Sequence, residues 1–120
     1  MRIFVMLGSV NMFLAVALGA FGAHGLKSRV SAEMLAVWQT AVLYHLAHAL
    51  GLLLVGLLAP YLAVKGAGWL LFAGIVLFSG SLYLMVLTDV RSLGMITPLG
   101  GVAFLAGWLL LALSAFKLAA

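Results

Sequence analysis

The sequence predicts an all-α integral membrane protein, an antiparallel four-helix transmembrane bundle formed as one domain over residues 1–120. Three observations lead there. The chain is 68% hydrophobic and only 7% charged, whereas a soluble domain is about one quarter charged. Four apolar runs, each about 20 residues long, lie between the charges, the length a helix needs to cross a bilayer. All the connections between them are short, which makes neighbouring helices antiparallel. A mean hydropathy of +1.36 would leave a soluble protein with large exposed apolar patches. Lipid removes that contradiction.

The first span is expected over about residues 3–23 and the second over about 38–58, by the length a span requires. The second helix should begin earlier, near Ser31, a good N-cap residue followed by Glu33 at the positive end of the helix dipole. Trp38 would then mark the interface. The third span falls at about 68–87 and the fourth at about 98–118 by the same rule. Pro60 ends the second helix. Thr97 and Pro98 read as the N-cap and first residue of the last one. Runs of this length exclude the strands of a membrane barrel, which need about ten residues of alternating polarity.

Arg2, the apolar stretch after it and the small residues Ala20, Gly22 and Ala23 imitate a signal peptide. The stretch exceeds the usual 7–15 residues of a signal core, and further spans follow. An uncleaved first span is therefore expected. Six basic residues stand in two sets of three. Arg2, Lys65 and Lys117 fall on one side, with Lys27, Arg29 and Arg91 on the other, so the positive-inside rule gives no orientation. Scattered cations of this kind exclude a nucleic-acid-binding face, which needs clustered Lys and Arg. With no cysteine, disulfides and thiolate metal sites are excluded as well.

Polar residues at membrane depth carry the functional question, because each is costly there. At 100° per residue Gly8, Asn11, Ala15, Gly19 and Gly22 share one stripe about 80° wide. Small residues permit close helix approach, and an Asn among them can bond across the contact. In the second span, Tyr44 and His48 share a face and His45 lies beside it. With Trp38 at the interface, His48 would sit about 15 Å deep. Two histidines there could serve proton or quinol handling, or a metal. An i,i+3 pair with no acid in any span is a poor metal motif, so neither metal nor cofactor is expected. The bland reading is a pair of neutral imidazoles bonded to Tyr, Ser or Asn on neighbouring helices. His24 points away from the small-residue stripe, at the exit of the first span, where Gly25 would help to end the helix. Ser79, Gly80 and Ser81 in the third span, and Gly100 and Gly101 in the fourth, are read as helix-packing positions. Trp108 lies mid-span, too deep for an aromatic belt, so it should pack inside the bundle or at an oligomer contact. Asp89, just past the third span, should pair with Arg91 or cap the helix end.

Three blocks together, "GAFGAHGL" at 19–26, "WQTAVLYHLAHAL" at 38–50 and "SGSLY" to "ITPLGG" and "FLAGW" across 79–108, are similar to a family of small inner-membrane proteins typified by YgdD. Its eukaryotic relatives include transmembrane protein 256. The resemblance implies four spans in a bacterial cytoplasmic membrane and assigns no catalytic role to any residue. No nucleophile, base and acid stand together, so an enzyme is not expected. The expected function is that of a structural or accessory component, in contact with membrane lipid and either self-associated or part of a larger membrane complex. The alternatives are a small solute or proton transporter working through the intramembrane histidines, and a quinone- or haem-binding redox component.

Overall fold

A computed structural model describes residues 2–119, and they are helical almost throughout. Helix α1 (Arg2–Phe21) runs on through a π-helical turn, Gly22–Leu26. Helix α2 covers Ala32–Leu58, and the third span joins α3 (Lys65–Gly74) to α4 (Gly80–Thr88) through a second π turn, Ile75–Ser79. A short 3₁₀ turn, Arg91–Met95, leads into α5 (Thr97–Ala119). Four continuous helical stretches, Arg2–Leu26, Ala32–Leu58, Lys65–Thr88 and Arg91–Lys117, are long and apolar enough to cross a membrane.

The helix starts obey local chemistry in one case and tertiary chemistry in the other. Ser31 caps α2, its hydroxyl accepting the Met34 N–H at 3.1 Å. Thr97 does not cap α5 as expected; it is the first helical residue. Its hydroxyl is held by Ser81 of α4 at 2.6 Å, and an interhelical bond at membrane depth outweighs a cap. Gly25 does not close the first helix with a left-handed residue either, since no glycine has positive φ among the described residues. The π turn performs that ending. The left-handed cap falls instead at Asp89, φ 56°, after α4. Asp89 stands 3.8 Å from Arg91, which makes its shorter contact, 2.9 Å, with Glu33 at the start of α2.

The four spans form a flattened assembly whose Cα envelope measures 52 × 26 × 18 Å. The second and third spans are central: 44% of the most apolar stretch of each is buried, against 22% and 28% in the first and fourth. The first span packs along α2, and α5 packs along the third span. The buried apolar side chains divide into two clusters. One holds Phe4, Leu52, Val55, Leu71 and Phe104; the other holds Met34, Trp38, Leu82, Met85 and Val86. Between them along α2 lie His45 and His48, both buried. Trp38 is not an interfacial anchor. It is 1% exposed and its indole N–H donates to the Leu18 carbonyl of α1 at 2.8 Å.

Close approach depends on particular glycines. A Cβ on Gly8 would stand 2.9 Å from the Ala49 carbonyl oxygen of α2. On Gly22 it would enter the Trp38 ring, and on Gly100 it would collide with the backbone of Phe78. Gly19 meets Val42 at 3.2 Å, and Ala15 is fully buried in the same stripe. Gly101 differs from the packing role expected of it: nothing lies within 4 Å of its Cβ direction. The two adjacent glycines thus give a direct test. Gly100→Leu should cost at least about 1–3 kcal/mol through overpacking against rigid backbone, whereas Gly101→Leu should be close to neutral. Thermal melting followed by size-exclusion in detergent reads both; equal melting temperatures would refute this packing.

Candidate functional site

The polar layer at mid-membrane is built on α2. His45 is the hinge of a three-helix chain of hydrogen bonds. Its Nε2 lies 2.9 Å from Asn11 Oδ1 on α1, and its Nδ1 lies 2.9 Å from the Tyr83 hydroxyl on α4. The Asn11 amide NH₂ donates to its own helix at Leu7 O, 2.8 Å, which leaves Oδ1 as the acceptor facing His45. For a neutral imidazole the direction of every proton in the chain follows. His45 Nε2–H donates to Asn11, and Nδ1 accepts from Tyr83.

His48 has the opposite arrangement. Its Nδ1 lies 2.8 Å from the Tyr44 carbonyl, which only accepts, so Nδ1 carries the hydrogen. Its Nε2 therefore accepts, and the Trp108 indole N–H of α5 donates to it at 2.9 Å. The imidazole lies flat on Phe104, ring centroids 3.5 Å apart and planes 11° from parallel. Gly51 makes the space: a Cβ there would stand 3.1 Å from the Trp108 ring. Each imidazole in its neutral form has one donor and one acceptor satisfied. Their partners differ in what they permit. Tyr83 can turn its hydroxyl and accept. Trp108 can only donate, so a second proton on His48 would set two N–H groups against each other.

The other singled-out residues divide sharply. Ser79 bonds the Ala41 carbonyl of α2 at 2.8 Å, and Ser81 joins Phe78 O and Thr97. Tyr44 is 41% exposed; its ring packs on Phe78 with centroids 4.5 Å apart. His24 is exposed on the first π turn, away from His45 and His48. Gly80 was expected at a packing contact and is not in one: the nearest atom to its Cβ direction is Ile75 O at 3.9 Å. Among the described residues no three His, Asp or Glu side chains are grouped as a metal would need. Two members of the site lay outside the candidates read from sequence, Tyr83 and the pairing of Trp108 with His48. A tyrosine and a tryptophan inside apolar spans, each with one polar atom to satisfy in lipid, are the available signal.

Beside this layer the first and third spans part. They meet at the Lys65 end, where Phe4 lies on Gly68 and Trp69. Further along, a groove of about 470 Å³ opens between them, with Asn11, His45 and Tyr83 in a lining that is otherwise almost wholly apolar.

Four apolar helices locked by hydrogen bonds at mid-depth define a multi-pass α-helical membrane protein. The chain belongs to the family described as "Protein of unknown function (DUF423)", whose pattern it matches over residues 18–101. It is 54% identical to the UPF0382 membrane protein YwdK of Bacillus subtilis, with 98% of each chain covered. It is 50% identical to a UPF0382 membrane protein of Staphylococcus saprophyticus, covering 98% of this chain and all of that one. A Staphylococcus aureus relative of the same name is 49% identical, with 99% of each covered. No solved structure matches.

The opposite hydrogen positions on the two histidines are directly measurable. Nitrogen-15 NMR of histidine-labelled protein in detergent should show His45 as the Nε2–H tautomer and His48 as the Nδ1–H tautomer. Trp108→Phe should cost about 1 kcal/mol, the order of a polar bond between membrane helices, and should move the His48 resonances alone. The same tautomer at both positions would contradict the network.

Proposed function

We propose that this protein is an accessory or self-associating structural component of the bacterial cytoplasmic membrane, without enzymatic activity, in contact with lipid and with further copies or a larger membrane complex. The supporting observation is the use made of its polar side chains. The buried ones (Asn11, His45, His48, Ser79 and Ser81) all bond to other parts of the same chain. The outward faces of the first and fourth spans are apolar, with Phe13 and Leu105 each 73% exposed. Such faces suit lipid or another helix. The resemblance to the YgdD-typified family and to transmembrane protein 256 belongs to this reading, as does the cytoplasmic-membrane address.

A second reading, a small proton or solute transporter, draws support from the Tyr83–His45–Asn11 chain, in which the tyrosine can reverse its hydrogen-bonding role. The two readings part experimentally. As an accessory component the protein should leave mild detergent or native nanodiscs with a stoichiometric partner or as a defined homo-oligomer, by mass spectrometry of intact complexes. A monomer free of partners at all concentrations would refute this. Transport instead predicts proton or solute flux in proteoliposomes that falls at least about tenfold in His45→Gln, which removes the hinge of the chain.

A further inference from the structure

We propose that the groove between the first and third spans is a binding site, open sideways to the bilayer, for a lipid-soluble alcohol or phenol whose hydroxyl donates to Tyr83. Three observations converge on it. The first is a free acceptor. The Tyr83 hydroxyl gives its hydrogen to His45 Nδ1, and among the described residues no donor reaches the oxygen, in a side chain that lines the groove. A hydroxyl oxygen that donates its hydrogen keeps an accepting lone pair, and in a side chain lining an almost wholly apolar groove that acceptor can be met only by a donor from outside the chain. The direction of the chain fixes the ligand's chemistry: Asn11 takes the Nε2–H, so Nδ1 of the neutral ring accepts from Tyr83, whose oxygen is left to accept from outside. A hydroxyl fits, whereas a ketone or ether does not.

The second observation is Gly80. It lines the groove, yet it has no packing contact to protect and an ordinary right-handed backbone, φ −60°. Glycine weakens a helix interior, and here neither close approach nor positive φ accounts for it. What its missing side chain preserves is the open space in front of Tyr83. The third is the π turn Ile75–Ser79, which immediately precedes Gly80 and supplies Ile75, Val76 and Leu77 to the wall. Such turns inside helices recur at functional sites. The volume, about 470 Å³, lies within the range of small-molecule sites, and Leu14, Val76 and Leu84 provide an apolar wall for the ligand's body.

The test uses full-length protein in nanodiscs and three probes: farnesol, 2-methyl-1,4-naphthoquinol kept reduced, and farnesyl methyl ether. Binding is read by tryptophan fluorescence in a Trp69→Phe, Trp108→Phe background that leaves Trp38, 4.8 Å from Tyr83 between ring centroids, and in the unaltered protein by the nitrogen-15 shift of His45 Nδ1. At least one hydroxyl probe should bind saturably, and the better of the two identifies an aliphatic or a phenolic source. The ether should bind at least roughly tenfold more weakly, one hydrogen bond's worth of affinity. Tyr83→Phe should weaken the hydroxyl probe by a similar factor. Gly80→Leu should abolish binding at an unchanged melting temperature, because it fills the groove and touches no polar group. If that variant does not fold, Val76→Trp closes the same space from its lipid-facing side. Equal binding of alcohol and ether, binding undiminished by a filled groove, or no saturable binding of either hydroxyl probe would overturn the proposal. So would a disulfide from Val76→Cys to a co-purified polypeptide, which would make the occupant a helix.

Discussion

No water reaches the middle of a bilayer, so every polar group there must find a partner within the protein. The structure depends on how that constraint is met around α2. Two apolar clusters would hold the ends of the spans together, but neither says which rotation each helix adopts about its axis. The polar layer does. Asn11 must face His45, Tyr83 must face the other nitrogen of the same ring, and Trp108 must face His48. With Ser79 on the Ala41 carbonyl, the second span is bonded to each of the other three. A single such bond contributes only about 0.6–1.7 kcal/mol in a membrane. Its greater effect is on specificity, since a rotated helix would strand several polar groups at once.

Close packing and hydrogen bonding support each other in this arrangement. The small-residue stripe of α1 lets its backbone approach α2, and only at that separation does a short Asn side chain reach an imidazole. Gly51 has the matching role on the opposite side, where a bare backbone admits the Trp108 ring and brings its N–H to His48. Gly100 does the same for α5 against Phe78, close to where Ser81 and Thr97 meet. The groove is the exception, the place where the first and third spans stand apart beside the Asn11–His45–Tyr83 chain.

Much of this was legible in the sequence. The spans are bounded by charges and turn residues, so their number and approximate limits follow from length alone. The α1 stripe was readable because its period matches a helix and its members are small. What the sequence could not supply was pairing across helices. Tyr83 and Trp108 each announce a polar atom in need of a partner, but only the folded chain shows that the partners are His45 and His48. Trp38 imitates an interfacial anchor, and only the neighbouring Leu18 carbonyl shows why it is buried. Gly80, Gly100 and Gly101 have the same chemistry, and only the position of the opposing helix separates a contact from an opening. Thr97 carries a good cap signature that the Ser81 hydroxyl overrides.

The central position of α2 bears on how the protein is made. Spans emerge from the ribosome in order, so α2 meets the membrane after α1 and before the third and fourth spans. At that stage His45 has Asn11 but not Tyr83, and His48 has only the carbonyl of its own helix. The first hairpin is therefore a half-satisfied intermediate, held by Gly8, Gly22 and the Trp38 bond to Leu18 and still carrying unpaired imidazole nitrogens. The third span completes one ring and the last span completes the other. Each imidazole thus gains its second partner only with the span that carries it, the third for His45 and the fourth for His48.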